Sequence, residues 1–153
     1  MSDAPLSGNN VFVLGAVDAV GRDVAVAIAE AGANVSVTTA TLADSEQFFA
    51  NSVLNEAWSM GRAGAAFTTD GVELEEIRSA VEVAGAPSFV AMPAVSNLTW
   101  PGQLASETQS LLVSVHQSGD RFFVKSSAAE RESKVALEDV GSAVVGLLNR
   151  AKG

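Results

Sequence analysis

Two glycines, Gly15 and Gly21, stand at the junction of an apolar run and a helical pattern in residues 11–23, VFVLGAVDAVGRD. A junction of this kind can hold phosphate. Glycine lets the backbone approach an anion, and the first N–H groups of a helix sit at the positive end of its dipole. Gly15, Ala19, Val20 and Gly21 would form the phosphate-facing turn, and Arg22 would add a cation. The plainer reading is that any short strand-to-helix turn favours glycine.

Other residues with chemical potential are sparse. His116 is the single histidine and falls in a stretch that reads as helix, where a partly exposed helical residue is its simplest role. The absence of cysteine excludes thiolate catalysis, disulfides and Cys-ligated metals. No Gly-x-Ser-x-Gly nucleophile elbow is present. One histidine cannot build a multi-histidine metal site, and Asp44 and Asp70 lack the spacing of a carboxylate site, so no metal is expected. Trp58 reads as a packing residue. Trp100, in the irregular NLTWPG, reads as packing or as the wall of a ligand cleft. The acidic run at 73–76 reads as a solvated helix face.

Periodicity defines the elements that must position these residues. Short apolar runs predict strands at 11–14, 34–39, 64–69, 88–92 and 121–125. Between them, Val24, Ile28 and Ala31 recur at helical spacing until Gly32. Asp44 with Gln47 suggests a capping box for a helix over 44–60, and Asp70 with Glu73 caps a third. A further helix is predicted over 103–117. A last one, beginning near 128, carries Val140, Val144, Leu147 and Leu148. Strands alternating with helices imply right-handed crossovers and an α/β, doubly wound parallel sheet of about five strands in the order 3-2-1-4-5. The expectation is a single domain over residues 1–153, with residues 1–9 as a flexible tail.

A chain of 153 residues buries roughly 70 % of its unfolded surface. Its composition, 48 % hydrophobic and 18 % charged, argues against disorder. Eighteen acidic residues against 9 basic ones give a formal charge of −9, which repels phosphate backbones and anionic lipid. Neither nucleic acid nor membrane is expected as a partner. No apolar run reaches the ~18 residues of a membrane helix. MSDAPLSGNN lacks the basic start and apolar core of a signal peptide, so a cytoplasmic location is expected.

The segment VFVLGAVDAVGRDVAVAIAEAGANVSVTTAT resembles the opening of the short-chain dehydrogenase/reductase family, an NAD(P)-binding Rossmann fold. That family's pattern is Thr-Gly-x-x-x-Gly-x-Gly before a helix. Gly15 matches the first glycine and Gly21 the third, while Ala19 stands at the second and Leu14 replaces the threonine. The resemblance continues through FTTDGVELEEIRSAVEVAG. There Asp70 falls where the family often places an aspartate near adenine, although it suits a helix cap equally. The resemblance implies NAD or NADP as cofactor. At the ribose-reading end of strand two stand Thr38 and Thr39, so neither the acid of NAD sites nor the arginine of NADP sites is present.

The catalytic half departs from the pattern. The family's Tyr-x-x-x-Lys pair uses lysine to lower the pKa of a proton-exchanging phenol, and this sequence has no tyrosine. MPAV, at 92–95, replaces the Asn-Asn-Ala-Gly segment. FFVKSSAAERESK resembles the fifth strand and its serines, which would align Ser126 or Ser127 with the family's serine and Lys134 with its lysine, leaving Glu130 in place of tyrosine. The chain also stops well short of a typical family member. The resulting expectation is a nucleotide- or NAD(P)-binding protein, with a small-molecule nucleotide ligand and no family-type oxidoreductase catalysis. The alternatives are an active oxidoreductase using Ser126, Ser127 and Lys134, or an assembly module that binds nothing. A homodimer or homotetramer is expected, because Val140, Val144, Val145, Leu147 and Leu148 give the last helix a wide apolar arc.

Overall fold

The structure, a computed structural model, describes residues 6, 8–39, 43–64, 66–67, 78–79, 88–96, 98–127 and 132–152. Five parallel strands form its sheet in the order β3-β2-β1-β4-β5: β1 Asn10–Leu14, β2 Asn34–Thr38, β3 Ala66–Phe67, β4 Ser88–Ala91 and β5 Leu112–Ser118. Two antiparallel strands, β6 Arg121–Ser126 and β7 Glu132–Val135, extend it to seven. The continuous apolar runs of β1 and β4 are buried on both faces, as a sheet covered on two sides requires. On one face α1 (Ala19–Glu30), α2 (Asp44–Ser59) and α4 (Val140–Lys152) pack against Val11, Val13, Val35, Val37, Val113 and Val115. On the other, Leu104 and Ala105 of α3 (Trp100–Thr108) cover Phe12, Leu14, Phe89 and Ala91. The doubly wound α/β expectation holds, as does the parallel order 3-2-1-4 of the first four expected strands. The fifth parallel place is taken by residues 112–118 instead of 121–125.

The C-terminal third differs from the reading of the sequence. The helix expected over 103–117 ends at Thr108, where Gln109 turns left-handed with φ 55°. The chain then enters β5, whose buried Val113 and Val115 alternate with less buried Leu112, Ser114 and His116. That two-residue period was masked by Leu111, Leu112 and Val115, which also fit a helical stripe. His116 therefore lies on a strand, not a helix. Residues 121–125 do form a strand, but it pairs antiparallel with β5 through a two-residue turn, Gly119 (φ 62°) and Asp120. Similarly, β7 and a short 3-10 turn, Leu137–Asp139, precede a last helix that starts at Val140 instead of near 128.

Smaller boundaries shift as well. Asp44 lies inside α2, and the N-cap is Ala43, with no side-chain cap. Leu6, in the segment expected to be a tail, is fully buried and donates its N–H to the Ala31 carbonyl at 2.8 Å. The helix expected after Asp70 lies outside the described residues, except for Arg78 and Ser79. Arg78 holds α3 by a bidentate ion pair to Glu107 (3.0 and 2.6 Å), and these hydrogen bonds lower that carboxyl's pKa. On α4, Val140, Val144 and Leu148 form one buried stripe, while Val145 and Leu147 are half-buried beside it.

Phe12 and Phe89 are fully buried, with ring centroids 6.3 Å apart. Replacing Phe12 with alanine is expected to remove about 3–5 kcal/mol of stability. Urea unfolding with an unchanged m-value checks this.

Candidate functional site

The parallel strands bring their carboxyl ends to one edge of the sheet, where ligands bind in open α/β folds. The turn from β1 into α1 is held there from two sides. Gly15, at φ 76°, donates its N–H to the buried Thr38 Oγ1 at 3.1 Å, and the N–H of Ala16 reaches the Thr38 carbonyl at 3.0 Å. A Cβ at Gly15 would come within 3.1 Å of the Val95 side chain, in the turn after β4. Gly21 meets a harder limit. A Cβ there would lie 2.9 Å from Ala16 Cα, so only glycine lets the helix cross this close to the turn.

The helix begins at Ala19, two residues before Gly21, and its cap is Asp18. The Asp18 carboxylate accepts the Gly21 N–H at 3.0 Å. The amides of Asp18, Ala19 and Val20 take no partner among the described residues and lie at the positive end of a 12-residue helix. This is a phosphate-sized donor set with one opposing feature, the exposed carboxylate of Asp18 itself. The sequence reading missed that cap, although aspartate three residues before a glycine-opened helix is a readable signal.

The other site residues fall in different places. Arg22 joins α1 to α2: its Nε donates to Ser52 Oγ at 2.8 Å, and its NH2 lies 3.2 Å from Glu56 Oε1. Thr38, considered for the ribose, is fully buried, and its hydroxyl oxygen accepts the Gly15 N–H. Asp70 and Glu130 lie outside the described residues, as does the side chain of Trp100. Ser126 is buried and shares the sheet face of Val113, whereas Lys134 is exposed and pairs with Phe123, whose side chain is on the opposite face. Ser127 Oγ accepts the Leu112 N–H at 3.0 Å. The fold does not bring Ser126 and Lys134 together.

A pair absent from the sequence reading is present at the same edge. Ser96 Oγ, after β4, lies 3.1 Å from His116 Nδ1, near the end of β5. A cavity of about 480 Å³ opens elsewhere, between α1 and α4. The described residues that line it include Asp23, Glu30 and Glu138 and no Lys or Arg, so they repel phosphate and the turn remains the nucleotide candidate. Among the described residues, no group of three or more acids or histidines could hold a metal, and no helix is long and apolar enough to cross a membrane.

Thr38→Val keeps the branched shape but orphans the buried Gly15 N–H. It is expected to cost about 1–3 kcal/mol, with Thr38→Ser restoring most of the loss. Paired denaturation curves decide.

No protein-family model matches the sequence, and no curated protein matches it. Solved structures do. An Escherichia coli hydroxysteroid dehydrogenase is 24 % identical, with a TM-score of 0.50 over 63 % of this chain and 42 % of that one. A blue fluorescent protein from a metagenomic library, solved with NADPH, is 20 % identical, with a TM-score of 0.57 over 69 % and 51 %. A short-chain dehydrogenase/reductase from Mycobacterium marinum is 28 % identical, with a TM-score of 0.47 over 61 % and 38 %. The chain thus spans at most about half the length of these proteins. Its α/β sheet is similar in fold to those of the hydroxysteroid dehydrogenase and the blue fluorescent protein.

Proposed function

We propose that the chain binds a nucleotide, NAD or NADP, with the pyrophosphate on the free amides of Asp18, Ala19 and Val20. Those three unpaired donors at the head of α1 carry the reading. The NADPH held by the structurally similar blue fluorescent protein supports it. A bound nicotinamide would supply hydride chemistry, and this chain's part is to hold the phosphates. Family-type proton transfer is not part of the proposal, because it needs a phenol and the sequence has no tyrosine.

Asp18 sets the strength of binding. A unit charge about 4 Å from a phosphate costs about 1 kcal/mol in bulk water, close to a fivefold loss of affinity. Asparagine caps a helix as well as aspartate does but carries no charge. Asp18→Asn is therefore expected to bind NADH or NADPH about fivefold more tightly, with an unchanged melting temperature. Calorimetry on both proteins measures this. Equal affinity would move the ligand away from the turn, and no binding by folded wild type at millimolar dinucleotide would end the nucleotide reading in favour of an assembly module.

The proposal includes a homodimer or homotetramer. Apolar side chains outside the core support it: Phe48 is 69 % exposed, Trp58 55 % and Leu137 54 %. Light scattering at micromolar concentration should give a multiple of 15.6 kDa, and the monomer mass would refute the assembly.

A further inference from the structure

The antiparallel pair β5–β6 carries polar side chains on the sheet face opposite to Val113, Val115 and Val124. Ser114 stands directly across from Lys125, and His116 across from Phe123. Cross-strand partners of this kind hold their Cβ atoms about 5 Å apart, and His116 follows Ser114 on the same face roughly 7 Å along the strand. Ser114, His116 and Lys125, with Leu112, Ser126 and Ser127, line a cavity of about 250 Å³.

Their hydrogen bonding leaves donors open toward that space. The Ser114 hydroxyl takes no hydrogen-bond partner among the described residues. Ser127 Oγ accepts from the Leu112 N–H, so its own proton remains free to be given. When the Ser96 hydroxyl donates to His116 Nδ1, the imidazole proton sits on Nε2, which then becomes a donor. Glu132 is the cross-strand neighbour of Lys125 on β7, yet no carboxylate of a described residue lies within 4.0 Å of the ammonium. None of the described residues that line the cavity is acidic. In a chain of formal charge −9, a cation, an imidazole and two hydroxyls around one hollow form a local reversal of sign.

We propose that this hollow is a binding site for a small oxyanion, a carboxylate or a phosphate group. Lys125 supplies the charge, Ser114 and Ser127 supply hydroxyl donors, and His116 supplies an N–H that Ser96 positions. The volume sets the scale. Drug-sized ligands need about 300–1,000 Å³, so this cavity takes a single anionic group and not a dinucleotide. The site is separate from the β1–α1 turn and does not rest on the nucleotide reading.

His116 is the only histidine, so one imidazole signal in a ¹H–¹⁵N spectrum reports on the cavity without assignment ambiguity. Inorganic phosphate and acetate are titrated separately, with sodium chloride holding ionic strength constant. Saturable movement of that signal by either anion is expected, and which of the two saturates names the source of the group. Lys125→Met should weaken the apparent affinity about tenfold or more and Ser114→Ala about fivefold, both with native backbone spectra. Three results would each overturn the site: no saturation with either anion, an equal shift from chloride alone, or wild-type affinity in both variants.

Discussion

Where α1 crosses the end of β1 there is no room for one methyl group. A Cβ on Gly21 would meet the backbone of Ala16 at 2.9 Å. Backbone cannot give way as a flexible side chain can, so the contact sets how deeply the head of the helix sits against the sheet. The turn is then fixed from its other sides by Thr38, which holds Gly15 through its hydroxyl and Ala16 through its carbonyl, and by Val95, packed on Gly15. The segments following β1 and β4 and the last residue of β2 share this one knot. The direction of the free amides at Asp18, Ala19 and Val20 is a consequence of it.

Electrostatics divides the molecule more finely than its formal charge suggests. At physiological ionic strength charges are screened beyond about 8 Å, so an anion at the sheet edge responds to its immediate neighbours more than to the total of −9. Around the β1–α1 turn those neighbours are amide dipoles and one carboxylate. Arg22, which would otherwise tip the balance, is occupied by Ser52 and Glu56 on α2. Its guanidinium joins two helices, and the donors facing out of the turn are backbone amides.

The parallel half of the fold was legible in the sequence because buried strands read as continuous apolar runs and glycine marks their turns. Val11, Val13, Val35 and Val37 needed no further information. The antiparallel half was not. Leu111, Leu112 and Val115 satisfy a helical period and a strand period equally. The deciding feature is Gln109, a left-handed residue that is not glycine and so leaves no sequence mark. Misplacing that boundary moved His116 onto a helix and hid its hydrogen bond to Ser96, a contact made across 20 residues. At the turn, the glycine spacing was readable and the role of each glycine was not. The same pattern serves packing at Gly21 and backbone conformation at Gly15. Thr38 shows the converse, since a residue read as a ligand contact is buried and accepts a hydrogen bond from the turn.

The meander that ends the sheet bears on how copies of this chain can meet. Of the strands described, β7 is the outermost on its side, and an outermost strand offers a row of backbone donors and acceptors to any passing strand. Here that strand is only four residues long, Glu-Ser-Lys-Val, and its Glu132, Ser133 and Lys134 are solvated. Zipping a second molecule onto it would bring like charges together in several registers and would gain few ladder bonds. The sheet is therefore discouraged from growing into a continuous ribbon between molecules.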